Sequence, residues 1–173
     1  VVPADGYLTC TAFNLSNISG PEQIFRFKTA IEEVRKDYDY CICDCGRLLD
    51  TVVLNILVVA DLVVSPIKAG GFEVSAVENL SMQIADIRVF NRNIEAKLLL
   101  NMARNALAFR GMEAWVKEKS GLDYFDTNIK QSTVIEQAAL KQIPLPEHDG
   151  KADVTVSYRN CLLYTSDAAD DKA

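Results

Sequence analysis

Apolar residues return along this chain in two rhythms, and the alternation between them organises the reading. Ile24, Phe27, Ile31 and Val34 recur at spacings of three and four, with Glu32, Glu33, Arg35 and Lys36 on the opposite side, which predicts an amphipathic helix. "SNISGPEQ" ahead of it offers Ser19 as a cap and Pro21 in the first turn. "YDYCICD", Tyr38 to Asp44, reads as a strand, and "LLDTVVLNILVVA" as an apolar helix whose β-branched residues leave a strand open as the alternative. "DLVVSPI", Asp61 to Ile67, is a short apolar run closed by Pro66, the pattern of a strand buried on both faces.

A loop with Gly70 and Gly71 follows. Val77, Leu80, Ile84 and Ile87 mark a long helix ending near Asn91, "AKLLLNMA" from Ala96 to Ala103 a further strand, and "GMEAWVKEKSG" a helix stopped by Gly121. "DYFDTNI" reads as a short strand, "STVIEQAAL" as a helix opening on Ser132, and "VVPAD" at the start as a strand end and loop. Strand and helix alternate without an internal repeat, so the expected class is α/β, a mostly parallel sheet with helices on both faces.

Composition changes this picture little. At 173 residues, 49% hydrophobic and 24% charged, the chain suits one ordinary globular domain. No apolar run reaches the roughly 18 to 20 residues of a membrane span, since Asn55, Asp61 and Pro66 interrupt the longest, and no basic, signal-like segment opens the chain. The net charge of −6 argues against a protein devoted to wrapping nucleic acid, although a local basic face is compatible with it. "CLLYTSDAADDKA", residues 161–173, lacks periodicity and resembles translated adapter sequence; without its three aspartates and one lysine the net charge is near −4. Domain reasoning therefore covers 1–160. Five cysteines do not make a disulfide framework in a chain of this size, which points to a reducing, cytoplasmic setting.

The candidate chemistry centres on "YDYCICDCGRLLD". On a strand, Cys41, Cys43 and Cys45 share one face and Tyr40, Ile42 and Asp44 the other. Zinc sites favour Cys-x-x-Cys knuckles with histidine, and His148 is the only histidine, so buried thiols under a covering helix are the expected reading. His148, in a proline-bounded polar segment, is expected to be exposed and not catalytic. Asp44 stands at the carboxyl end of its strand, where parallel sheets bind ligands. It can support magnesium beside nucleotide phosphates, or cap the next helix.

"YDYCICDCGRLLDTVVLNILVVADLVVSPIKAGGFEVSAVENL" resembles the ParA/MinD-type deviant Walker ATPases, most closely the ParA partition proteins. The resemblance is carried in order by Tyr38-Asp39, Asp44, Leu54-Asn55, Ala60-Asp61, Pro66 and Phe72, continues through "LLLNMARN" and "FDTNIKQSTVIEQAALKQIPLPEHDGKADVTVSYRN", and reaches back to "VVPADGYL". It implies that Asp44 is the Walker B aspartate supporting magnesium, directly or through water. It makes Cys45, Gly46 and Arg47 the start of the switch segment, and sets Asn101 and the segment from Pro144 to Pro146 near the base or ribose of ATP. Members often have proline where Gly46 and Arg47 stand. A strand-end amide bonded to backbone is the alternative for Asn101.

A P-loop needs G-x-x-x-x-G-K-[ST], and no such stretch occurs among these residues; "DGKA" at Asp149 lacks the first glycine and the Ser/Thr. The resemblance therefore implies the C-terminal portion of a longer ATPase, inactive toward ATP by itself. For the intact parent it implies a homodimer formed with ATP and Mg2+, salt-dependent non-specific DNA binding, a ParB-like centromere-binding partner, and a cytoplasmic, nucleoid-associated setting. Arg88, Arg92, Arg104, Arg110, Lys117, Lys119, Lys141 and Arg159 are the available cations, each more readily read as solvated surface than as a DNA contact. A MinD-like membrane-associated ATPase, a cobyrinate-synthase-like or iron-protein-like enzyme, and a purely associating fragment are the alternatives.

Overall fold

Helix and strand assignments follow from where each side chain finds cover. The computed structural model describes residues 8–20, 22–46, 50–68, 73–103 and 106–170. Expectations for Val1 to Asp5, Pro21, Arg47, Gly70, Gly71, Phe72 and Arg104 fall outside these. The chain divides into two compact units, Val1–Val63 with Ile84–Glu95, and Val64–Gln83 with Ala96–Ala173.

In the first unit, α1 (Leu8–Ser16) is a helix that the sequence pattern did not announce, and α2 (Glu22–Glu32) is the expected amphipathic one. A single 3-10 turn, Arg35–Asp37, follows. The run "TVVLNIL" takes the helical alternative as α3 (Thr51–Leu57), because Asp50 caps it: its side chain accepts from the Val53 amide at 2.9 Å. Asn55, almost fully buried, ties α3 to α2. Its Nδ2 donates to the carbonyls of Gln23 and Thr51, both at 2.8 Å, while its Oδ1 accepts from the Phe27 amide at 3.2 Å. Gln23 and Phe27 are the two ends of one i to i+4 helical rung, so a single carboxamide serves both. At the other end of α3, Asn91 Nδ2 donates to Leu57 O and Ala60 O at 3.1 and 2.8 Å, satisfying carbonyls that the helix leaves open. Phe25 and Phe90 meet edge to face with centroids 6.4 Å apart.

The second unit is built on a three-stranded parallel sheet in the order β1 (Leu62–Lys68), β2 (Glu95–Asn101), β3 (Asp123–Tyr124). β2 pairs with β3 in the register Lys97 to Asp123 and Leu98 to Tyr124. Beyond β3 the chain keeps alongside β2: Phe125 N donates to Leu98 O, Ile129 N to Leu100 O and Ala103 N to Ile129 O. β2 is central and buried on both faces. Leu98 and Leu100 pack with Ile67, Val77, Met112 and Val116, from β1, α4 (Glu73–Ile87) and α5 (Ala106–Lys119). Leu99, pointing the other way, packs with Phe125, Ile129, Val154 and Cys161, under α6 (Thr133–Lys141), α7 (Leu145–His148) and α8 (Asp153–Asp170). Helices on both faces of a parallel sheet are the expected α/β class. Ser132 caps α6, accepting from Val134 N at 3.2 Å, and Gly121 follows α5 at a φ of +66°, which glycine adopts at least cost.

Two expectations are corrected. β1 is not buried on both faces: Val64, Pro66 and Lys68 are exposed while Ile67 is buried. β1 lies at the end of the strand order, an edge that tolerates a residue without an amide, and so Pro66 sits within the strand instead of closing it. Tyr38 to Asp44 forms no strand. It finds no ladder partner among the described residues, and Tyr38, Tyr40 and Ile42 are 70%, 71% and 91% exposed. Alternation of side chains prepares a strand but does not supply the neighbour that makes one.

Candidate functional site

Asp44 lies in the first unit, exposed, on the irregular run that precedes the Asp50 cap of α3. Because that run is not a strand, the expected division of its side chains between two faces is absent. Cys41 and Cys45 are exposed and Cys43 half-buried, so these are not the covered thiols that alternation suggested. Cys41 Sγ and Cys43 Sγ stand 3.9 Å apart, and Cys45 Sγ points to Cys43 O at 3.7 Å. Partial burial, then the neighbouring Cys41 and Cys45, push the Cys43 thiol up to about 11. Burial, followed by the carboxylates of Asp44 and Asp50, raises Cys45 as well. No group of three or more His, Cys, Asp or Glu side chains suited to a metal occurs among the described residues. A lone exposed carboxylate fits magnesium in one mode, in which the ion keeps most of its waters and takes its other ligands from phosphates. Gly46 is described and has open space around its Cα, whereas Arg47 lies outside the described residues.

Asn101, in the second unit, closes β2 at its carboxyl end. Its Oδ1 accepts from the Met102 amide at 2.8 Å, and Met102 itself adopts a φ of +54°, a conformation uncommon for a side-chain-bearing residue. The side-chain amide nitrogen remains directed away from that contact, so the group can still donate to a ligand.

Pro144 and Pro146 belong to the turn into α7. Pro144 precedes the helix at φ −59° and ψ 141° and accepts from the amides of Glu147 and His148, both at 3.0 Å. The following turn is tightly tied. Asp149 Oδ1 accepts from Lys151 N and Ala152 N, Thr155 Oγ1 donates to Asp149 O at 2.6 Å, and Arg159 Nη1 donates to Gly150 O at 3.0 Å. Gly150 is needed for close approach, since a Cβ there would stand 3.0 Å from Pro146 O. Beside this turn lies a groove of 310 Å³ lined by Ile135, Leu145, Pro146, Thr155, Tyr158, Arg159 and Leu162. Pro146 lines it; Pro144 and Asn101 do not. Thr155, Tyr158 and Leu162 were missed as site residues, although their spacing of three and four is the signal of one helix face. His148 is half-buried and its Nε2 lies 3.4 Å from Gln137 Oε1.

Of the eight candidate cations, the seven described, Arg88, Arg92, Arg110, Lys117, Lys119, Lys141 and Arg159, are all exposed. Lys117 is held by Glu113 at 2.9 Å and stands over the Tyr124 ring, while Arg159 is committed to Gly150. No helix among the described residues is long and apolar enough to cross a membrane.

Comparison with known proteins adds to this geometry. The family described as AAA domain matches residues 1–98. The sporulation initiation inhibitor protein Soj of Bacillus subtilis (strain 168) is 29% identical over 126 residues, covering 69% of this chain and 46% of Soj. A plasmid partition protein from Borrelia burgdorferi superposes with a TM-score of 0.64 at 20% identity, over 91% of this chain and 59% of that one. Cobyrinic acid a,c-diamide synthase from Mycobacterium smegmatis, solved with ADP and magnesium, superposes with a TM-score of 0.68 at 20% identity, over 76% and 54%. The curated relatives are spanned only in part, about half in the case of Soj.

Proposed function

The chain belongs to the AAA domain family, matched over residues 1–98, and to its ParA/MinD-type P-loop ATPases, and from that premise we propose that it is the part of a ParA-like partition ATPase that carries the Walker B carboxylate and the base-side wall. The observation that supports this best is the position of Asp44 within the matched residues, exposed on the run before the capped helix α3. Asn101 at the carboxyl end of a central parallel strand supports it further, since ligands of such sheets bind beyond those ends.

In this reading Asp44 holds magnesium, directly or through water, and Cys45, Gly46 and Arg47 begin the segment that responds to the terminal phosphate. Asn101 donates to the base through its side-chain amide nitrogen. Pro146, with Leu145 and Tyr158, offers an apolar wall against which the base or ribose rests, while Pro144 fixes the turn that presents it. Magnesium, when bound, neutralises phosphate charge, and the protein's part is to orient and to exclude water. ATP binding draws two copies into a homodimer; the dimer binds DNA without sequence preference through exposed cations such as Arg88, Arg92, Lys119 and Lys141; and a ParB-like partner stimulates hydrolysis in a cytoplasmic, nucleoid-associated setting. Of residues 161–173, only the groove-lining Leu162 is given a part in it.

The test is magnesium-dependent nucleotide binding by the whole product of the reading frame. Asp44→Asn is expected to lower affinity in magnesium by about tenfold or more, the scale on which ligand support acts, and to leave magnesium-free binding unchanged. Equal loss with and without magnesium would overturn the role of Asp44.

A further inference from the structure

Cys41 and Cys43 are separated by one residue, lie immediately before Asp44, and present sulfur atoms 3.9 Å apart on a run that is not a strand. Their proximity is conformational. In a strand, side chains two residues apart point the same way and their Cβ atoms are separated by roughly two strand rises, about 6.6 Å. A disulfide requires Cβ atoms at about 3.5 to 4.5 Å. A bridge between these two residues and an extended strand through them therefore exclude one another.

We propose that Cys41 and Cys43 form a reversible disulfide that locks residues 41–43 in their contracted form, so that oxidation bars the run before Asp44 from becoming a strand and reduction leaves it free to form one. The first half stands on the sulfur geometry alone; the consequence for Asp44 rests on the function proposed above. Exposure of Cys41 gives an oxidant access, and Ile42, 91% exposed, offers no packing that the contracted form would have to break.

The oxidant class is a small disulfide, RSSR, of the glutathione kind. Cys41 as thiolate attacks one sulfur of RSSR, forming a mixed disulfide and expelling RS−. Cys43 then attacks the Cys41 sulfur, its proton passing to the departing thiolate. Two protein thiols and RSSR become one intramolecular disulfide and two RSH, and excess RSH reverses both steps. Cys45, directed at Cys43 O instead of at a sulfur, takes no part.

Trypsin should release Asp37 to Arg47 as one peptide carrying all three cysteines, since Lys36 precedes it and Arg47 ends it. The full chain, equilibrated in glutathione buffers of rising oxidised fraction and then alkylated, should yield this peptide with a single label, on Cys45, and two hydrogens fewer at the other pair. Cys45→Ser should leave the bridge intact and Cys41→Ser should abolish it. Three labels at every buffer ratio, a bridge using Cys45, or linkage between chains would overturn the proposal. In nucleotide-binding preparations of the whole protein, oxidation should lower magnesium-dependent affinity by about tenfold or more while the Cys41→Ser protein stays insensitive. If the reduced protein shows no magnesium-dependent binding, the role of Asp44 is lost and the peptide mapping still decides the bridge.

Discussion

Asn55 offers the sharpest test of how the first unit is held. Replacement by alanine removes three hydrogen bonds, to Gln23 O, Thr51 O and the Phe27 amide. At about 1 kcal/mol net for each, the gross loss is about 3 kcal/mol. Gln23 O and Phe27 N are partners in an ordinary helical rung and can bond each other once the carboxamide leaves, recovering about 1 kcal/mol. The expected cost of Asn55→Ala is therefore about 2 kcal/mol, or roughly thirtyfold faster exchange of the protected α2 amides. Asn55→Asp keeps the shape but turns a donor toward two carbonyls into a charge. At neutral pH it should cost about 3 kcal/mol or more, as an unpaired buried charge does. The sign of its pH dependence follows: burial raises the carboxyl's folded pKa above its unfolded value of about 3.9, so the folded state binds the proton more tightly. Its stability is fully present below that unfolded value and is lost as pH rises through the raised folded one. Urea unfolding by circular dichroism, with amide exchange of α2, measures both variants. An Asn55→Ala protein within about 0.5 kcal/mol of the parent, or an Asn55→Asp protein no worse at neutral than at acid pH, would refute the shared-rung account.

Four further outcomes are expected. Leu98→Ala, at a fully buried position of the central strand, should cost about 2 to 5 kcal/mol in denaturant unfolding, and a cost under 1 would contradict the packing of β2. Ser132→Ala should lose the cap of α6 and about 1 kcal/mol, read as faster exchange of the Val134 amide. Because the Cys43 thiol is raised from 9.0 to about 11, the folded state retains a proton that the unfolded state has lost, so stability should fall between those pH values. Cys41→Ser should move the midpoint of Cys43 alkylation downward, and an unchanged midpoint would remove the cause assigned to Cys41.

Local signals were read directly where the physics is local. Ser132 as a cap, Gly121 beyond α5, and the spacing of Val77, Leu80, Ile84 and Ile87 each concern neighbours within a turn or two, and each appears in the structure. Pairing is different. Nothing within Tyr38 to Asp44 states whether a neighbour exists to receive its amides, so its alternation suggested a strand that is not formed. Pro66 illustrates the same limit, because whether a proline ends a strand or rides its edge depends on which side carries a partner. For the candidate site, the position of Asn101 at the end of β2 was legible, whereas Asp44 ends a run that forms no strand. The groove beside Pro146 was not, since it needs Ile135 from α6 and Tyr158 and Leu162 from α8 to converge across more than a dozen residues of intervening chain.

The open run from Tyr38 to Gly46 also gives the chain a clock. Proteases hold their substrates as added strands, through backbone groups that a ladder would otherwise occupy. Here those groups have no ladder partner among the described residues, and Tyr38 and Tyr40 project into solvent as ready aromatic recognition points. A chymotrypsin-like enzyme should therefore make its first cut in this run, and the disappearance of that cut would time the moment at which the segment acquires a strand on either side.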